Sequence, residues 1–316
     1  VSLSMNERAA TLVDAMAADA DGLGVEVRTL DSGARLVDCG AQARGGTRAG
    51  VGFAAACMGG LGRIDPVPVV VGDRTWPGVG VTVDAPAAAC LAAQYAGWKL
   101  EDGDFFAMAS GPGRALARAE DLFEELSWRE QASRAVLCLE TRQDPPGSVV
   151  AKVAERCGVE ASAVTFLIAP TASICGSVQI SARVVETALH KLHELGVDPA
   201  RIRNGWGCCP IAPVAKSDPA AIGRTNDAVL YGGTVHLWIE GGDDDVAELA
   251  GRLPSSASDA FGTPFGELLE AADWNFYDVD PMLFSPAAVT LTSTESGRAH
   301  YGGALAPEVL ERSFAQ

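Results

Sequence analysis

Apolar residues in this chain come in short blocks cut off by glycine and proline, and segments of helical period lie between them. Among the longest blocks are residues 54–57, 67–71 and 164–170, each far below the roughly 20 residues that a membrane-crossing helix needs. Blocks of this length suit strands in alternation with helices, so the expected fold class is α/β, as alternating α/β or α+β. With 48% of its 316 residues hydrophobic, the chain can bury a core in one large domain or two ordinary ones.

Residues 6–20 have the period of an amphipathic helix and not the pattern of a signal peptide, which implies a cytoplasmic protein. Residues 25–30 and 35–38 pair as a hairpin around Asp31-Ser-Gly33. A helix follows Gly45-Gly46 and runs to Met58, strands are expected at 68–71 and 79–83, and Pro86 opens a helix over 86–96. The charged segment 116–131 contrasts with the apolar strand 135–139 and predicts a helix that crosses between two domains. That places a boundary near Ser133, with domains 1–133 and 134–316. Further on come a helix at 149–157, a strand at 164–168, a long helix at 177–195 and a mixed stretch at 209–214. A strand at 234–240, helices at 246–253 and 264–272, and strands at 288–292 and 298–301 complete the order. Asp243-Asp-Asp245 reads as a cap that complements a helix dipole.

The net charge of −17, from 41 acidic and 24 basic residues, repels nucleic acid and anionic membranes and says nothing of a substrate. The eight cysteines sit mostly in apolar segments, with no Cys-x-x-Cys spacing, as reduced buried thiols do. There is no internal repeat, so the function must lie in a site.

The helix over 177–195 is the most informative element. Wound at about 100° per residue, it carries Val178, Ala182, Val185, Leu189 and Leu192 on one stripe and Arg183, Glu186, His190 and His193 on another. Arg183 and Glu186 are three apart and meet on one face, where a cation and burial act in opposite directions on a carboxyl group. Spacing alone favours the reading of an ordinary exposed ion pair. His190 and His193 are a possible metal pair, but no His-Glu-x-x-His or zinc-deaminase pattern accompanies them, and the reading is of no metal site. The glycine-rich stretches complete neither a phosphate-binding nor a dinucleotide-binding pattern; Ser110-Gly-Pro-Gly-Arg114, after an apolar strand, reads either as a turn or as a ligand-contacting loop. No nucleophile elbow is present.

Several blocks, in order, then carry a resemblance. They are Gly59-Gly60, Ala107-Met-Ala-Ser-Gly-Pro112, Ala169-Pro-Thr-Ala-Ser173, Gly176-Ser-Val-Gln-Ile-Ser-Ala-Arg-Val-Val-Glu-Thr187, His190-Lys-Leu-His-Glu194, Pro210-Ile-Ala-Pro-Val-Ala215, Gly223-Arg-Thr-Asn-Asp227 and Leu230-Tyr-Gly-Gly-Thr-Val235. From near Cys39 to Phe276-Tyr277 the chain resembles the methenyltetrahydromethanopterin cyclohydrolases. The resemblance implies a two-domain α/β subunit with the pterin in an interdomain cleft, no bound cofactor, a tetrahydromethanopterin derivative as substrate, and a homo-oligomer, trimer or dimer. It implies that Glu186 is the acid/base that activates water and that Arg183 holds it. It nominates Ser110, Gly111, Pro112, Thr171, Ser173, Gln179, His190, Arg224 and Asn226 as substrate contacts. Gly113 and Trp206-Gly-Cys-Cys209 depart from the archaeal pattern, which bears on how the pterin tail is held and not on Arg183 or Glu186. A non-catalytic methenyl-pterin carrier and a tetrahydrofolate cyclohydrolase are the rival readings.

Overall fold

The computed structural model describes residues 4–126, 128–275 and 278–315; Phe276-Tyr277, where the resemblance ends, lies outside them. Its strands are, in order, Glu26–Thr29 (β1), Arg35–Asp38 (β2), Gly62–Val71 (β3), Arg74–Val83 (β4), Trp98–Asp102 (β5), Phe105–Ser110 (β6), Ala135–Leu139 (β7), Val164–Ile168 (β8), Ile202–Pro210 (β9), Thr234–Ile239 (β10), Ala288–Ser293 (β11) and Ala299–Gly303 (β12). They form two mixed sheets of six strands, so the fold is α/β. Among the described residues no helix is long and apolar enough to cross a membrane.

The chain divides into two compact units, and neither is continuous in sequence. One runs up to Gly62 and resumes over Ala88–Gln179; the other takes Arg63–Ala87 and everything from Ile180. This corrects the single boundary near Ser133: β7, just beyond that point, is an inner strand of the first sheet, paired with β6 on one side and β8 on the other. A cut there would split a sheet. Among the described residues, the expected crossing helix over 116–131 is also absent. Its first part belongs to a short helix, Gly113–Ala117, ended by Arg118 at φ 45°, and Leu122–Glu125 is a separate turn of helix within the same unit.

The first sheet has the order β1-β2-β8-β7-β6-β5, with β2, β8 and β7 mutually parallel. Every residue of β7 and β8 is buried, as parallel strands covered on both faces must be. On one face Val37, Val136 and Leu167 pack against Ala9, Val13 and Phe53 of the helices Met5–Ala18 and Thr47–Cys57. On the other, Leu36, Leu137 and Phe166 pack against Val149, Val150 and Val153 of Gly147–Cys157, whose end is closed by Gly158 at φ 68°. The hairpin of β1 and β2 turns at Gly33, φ 86°, where the sequence puts it. Cys39, Cys57, Cys138 and Cys175 are buried in this unit's core.

The second sheet has the order β12-β11-β10-β9-β4-β3; β10 and β11 are parallel, and β9 is antiparallel to both of its neighbours. In this unit, helix Asp243–Arg252 is capped by Gly242, not by an aspartate; Asp243 in its first turn instead accepts from Ser296 Oγ at 2.5 Å and Arg298 Nη1 at 3.1 Å. Strands β5 and β9 and the helices Asp218–Gly232 and Pro307–Ala315 were not expected from the sequence. Residues 87–94, expected as an α-helix, form a π-helix, with Tyr95 N donating to Cys90 O at 2.7 Å.

Candidate functional site

The expected helix over 177–195 is two helices, Ile174–Ser181 and Val184–Glu194, with the break at Ala182-Arg183. The break falls three residues beyond the passage from the first unit to the second. Arg183, at φ −83° and ψ 2°, occupies the cap position, and its amide donates to Ile180 O at 2.9 Å. Glu186 therefore sits in the first turn of the second helix and not mid-helix. That changes its electrostatics, because the unsatisfied amides of a helix N-terminus place positive potential beside a first-turn carboxylate. Arg183 Nη1 stands 3.7 Å from Glu186 Oε2, with the side chains 14% and 8% exposed. The exposed ion pair that spacing alone allows is thus excluded: this pair is largely withdrawn from water.

What places this helix is an absence of bulk beneath it. Gly205 and Gly207 of β9 lie under Val185 and Val184: a Cβ on Gly205 would come within 2.7 Å of Val185 Cγ1, and one on Gly207 within 2.8 Å of Val184 Cγ1. The stripe Val178, Ala182, Val185, Leu189 and Leu192 is buried as expected. The helix also buries Lys191, 1% exposed, which the stripe reading missed because a lysine carries no apolar signal. Its Nζ donates to Pro254 O at 2.8 Å and Met282 O at 2.5 Å, and burial pushes its pKa down to about 8. His190 is half-buried, with Nε2 3.8 Å from Glu194 Oε1. Among the described residues, no group of three or more His, Cys, Asp or Glu gathers as metal ligands would. In the same unit Arg224 Nη1 donates to Pro213 O and Val214 O at 3.4 Å, and Asn226 Nδ2 turns back to Ile222 O at 2.9 Å.

The remaining nominated residues belong to the first unit, in two groups. Ser110 is the last residue of β6, and Gly111 and Pro112 follow it directly. Ser110 Oγ donates to Cys138 O at 3.2 Å, Asn6 Nδ2 donates to Pro112 O at 2.9 Å, and a Cβ on Gly111, φ 100°, would lie 2.9 Å from Val136 O. Arg114, fully buried, pairs with Glu120 and donates to Leu91 O and Ala93 O, which ties the π-helix to this loop. Thr171 and Gln179 form the second group: Thr171 Oγ1 and Gln179 Nε2, the latter at 3.3 Å, both donate to Glu140, one residue beyond β7. Ser173 is the cap of Ile174–Ser181, accepting from Gly176 N at 2.9 Å. Sequence reasoning missed Glu140. Its one signal is position, directly after the fully apolar strand β7.

Comparison with known proteins bears on both groups. The family model described as Cyclohydrolase (MCH) matches residues 4–314. The chain belongs to the MCH cyclohydrolase family. It is 49% identical to the methenyltetrahydromethanopterin cyclohydrolase of Methylobacterium sp. (strain 4-46), over 99% of this chain and 98% of that one. It is 46% identical to the protein of the same name from Xanthobacter autotrophicus, over 99% and 93%, and 38% identical to that of Methanospirillum hungatei, over 99% of each. The family match takes in both units, so the Arg183–Glu186 pair and the Glu140–Thr171–Gln179 group alike lie within the MCH region.

Proposed function

We propose that this MCH-family chain interconverts N5,N10-methenyltetrahydromethanopterin and N5-formyltetrahydromethanopterin by adding and removing water. One observation carries the chemistry: a buried carboxylate in the first turn of a helix, with a guanidinium 3.7 Å away. The methenyl carbon of the substrate is part of a cationic amidinium and already electrophilic, so a positioned water and a proton acceptor are sufficient. Glu186 takes a proton from water as the water oxygen bonds to that carbon. The same carboxyl group then gives a proton to N10 as the carbon–N10 bond breaks. The hydroxyl proton leaves to solvent, and a formyl group remains on N5. Arg183 orients the carboxylate through both half-reactions.

The same reading takes Ser110, Gly111, Pro112, Thr171, Ser173, Gln179, His190, Arg224 and Asn226 as the surroundings of the substrate, and the enzyme as a cytoplasmic homo-oligomer, trimer or dimer, that needs no bound metal. The test follows the methenyl absorption band after adding metal-stripped protein. Wild type should bleach it rapidly, and Glu186→Gln should bind the pterin but lose about 10²–10⁴-fold in kcat. Binding without turnover by wild type would identify a carrier, and faster turnover of the tetrahydrofolate analogue would overturn the choice of pterin.

A further inference from the structure

Strand β9 meets the segment that leads to Glu186 at three points along its length. Val185 rests on Gly205 and Val184 on Gly207, and three residues further along the strand Pro210 O accepts from Ser181 Oγ at 2.9 Å. The segment thus follows β9 from its last residue inward, through the break at Ala182-Arg183, and all of these residues belong to the second unit. Ser181, Ala182, Val184 and Val185 are fully buried.

The two kinds of contact fix different things. Against Gly205 and Gly207, the van der Waals contacts of Val184 and Val185 set how near the helix Val184–Glu194 lies to the strand. Such contacts have no direction, and a trough without side chains offers no ridge to stop the helix sliding along it. A hydrogen bond is directional and does stop it. The distinction matters, because one residue along a strand is about 3.4 Å, while a misplacement of about 1 Å at a reacting group already costs about 100-fold in rate.

Both ends of this tie are rigid. Pro210 pairs with Gly78 in the β4–β9 ladder, and Ile211 N donates to Pro77 O at 2.8 Å. The proline ring lies so close to helix Asp218–Gly232 that a Cβ on Gly232 would come within 2.7 Å of Pro210 Cγ. Pro210 O also takes the Cys209 thiol, at 3.4 Å, but a thiol is a weak donor. On the other side of the tie, Arg183 N donates to Ile180 O at 2.9 Å. Thr187 gives both its amide, at 2.8 Å, and its hydroxyl, at 2.9 Å, to Arg183 O. These bonds leave little slack in the five residues from the Ser181 hydroxyl to Glu186.

We propose that Ser181 is a positioning residue for Glu186: its bond to Pro210 O sets the register of helix Val184–Glu194 along β9, and with it the place of the Arg183–Glu186 pair. This deepens the function proposed above and rests on it. The water-activating chemistry stays with Glu186.

The experiment is a double-mutant cycle of Ser181→Ala and Glu186→Gln, read as loss of the methenyl absorption band at varied pterin concentration. In the wild-type background Ser181→Ala should lower kcat about 10-fold and leave KM within about 3-fold. In the Glu186→Gln background it should change the residual rate by less than about 2-fold, because no carboxylate is left there to misplace. Ser181→Cys keeps a weak donor at the same place and should recover part of the lost kcat; it also enters the cycle in place of the alanine variant if that one does not fold. An unchanged kcat, or the same fractional loss in both backgrounds, would reduce the Ser181 hydroxyl to an ordinary tertiary tie and overturn the inference, while the function proposed above would stand. No turnover by wild type would overturn that function and this inference together.

Discussion

The two units hold their polar groups by opposite means. In the first, bulk does the work: β7 and β8 are buried throughout, large side chains fill both faces of the sheet, and Glu140, Thr171 and Gln179 lie beyond the strand ends, outside the apolar clusters. In the second, missing bulk does it: Glu186 is where it is because β9 has no side chain at Gly205 and Gly207 to push its helix away. A site of the first kind should survive damage to its core that a site of the second kind would not survive.

Leu137 and Gly207 test this directly. Leu137 is fully buried at the centre of the first sheet, and Leu137→Ala leaves a cavity costing about 2–5 kcal/mol, readable by urea unfolding. The folded fraction should keep kcat within about 2-fold, because strand ends move little when one core side chain is shortened. Gly207→Ala adds one methyl between Val184 Cγ1 and Thr234 O, at 2.8 and 3.0 Å. It should cost less stability, about 1–3 kcal/mol, and more rate, about 10-fold in kcat, because the carboxylate of Glu186 shifts with its helix. Equal losses of kcat in the two variants would break the contrast.

Both units bury an aspartate, Asp38 in the first and Asp227 in the second. Asp227, 1% exposed on helix Asp218–Gly232, accepts from Phe265 N at 2.8 Å. Burial pushes its pKa up to about 7, with Glu267 adding to the rise and the Ser313 and Phe265 bonds and Arg312 opposing it. Between about pH 4 and pH 7 the folded protein thus holds a proton that the unfolded chain has released. The sign follows: this contribution is complete below the unfolded value and is lost as pH rises through about 7, by about 2–4 kcal/mol. Asp227→Asn cannot ionise and should remove that slope. Urea midpoints of wild type and variant that fall in parallel from pH 5 to pH 8 would show that Asp227 does not titrate there.

How much of this was legible in sequence follows the same division. Apolar runs, broken in β8 only by Thr165, announced β7 and β8, and Asp31-Ser-Gly33 announced the hairpin, because a turn and a strand buried on both faces are local signals. Strand β9 was hidden by its glycines, which weaken a strand pattern and are there for the helix above. The break at Ala182-Arg183 has no glycine or proline to mark it. The domain boundary was misplaced because the chain leaves the first unit at Arg63 and returns at Ala88, and composition does not register an excursion of that kind. Arg183 and Glu186 were nominated by the resemblance, since spacing alone favoured an ordinary ion pair. Glu140 was not, since its partners Thr171 and Gln179 lie 31 and 39 residues away and only the pairing of β7 with β8 brings them near.

The smallest effect sought separates capping from substrate contact at Ser173. In the first unit Ser173 Oγ accepts from Gly176 N at 2.9 Å and donates to Pro170 O at 2.7 Å; in the second, Ser217 Oγ accepts from Ala220 N at 3.4 Å near the surface. Either serine changed to alanine removes a helix cap, worth about 0.5–2 kcal/mol, with the larger value expected at Ser173, where the bonds are shorter and Pro170 O also loses its donor. Ser217→Ala supplies the baseline for a cap with no assigned role at the site. If Ser173 only caps, its alanine variant should lower the melting temperature and leave KM where Ser217→Ala leaves it. A KM raised more than about 3-fold above that baseline would mean that this hydroxyl also meets the substrate, since a cap lost without contact has no reason to weaken binding alone.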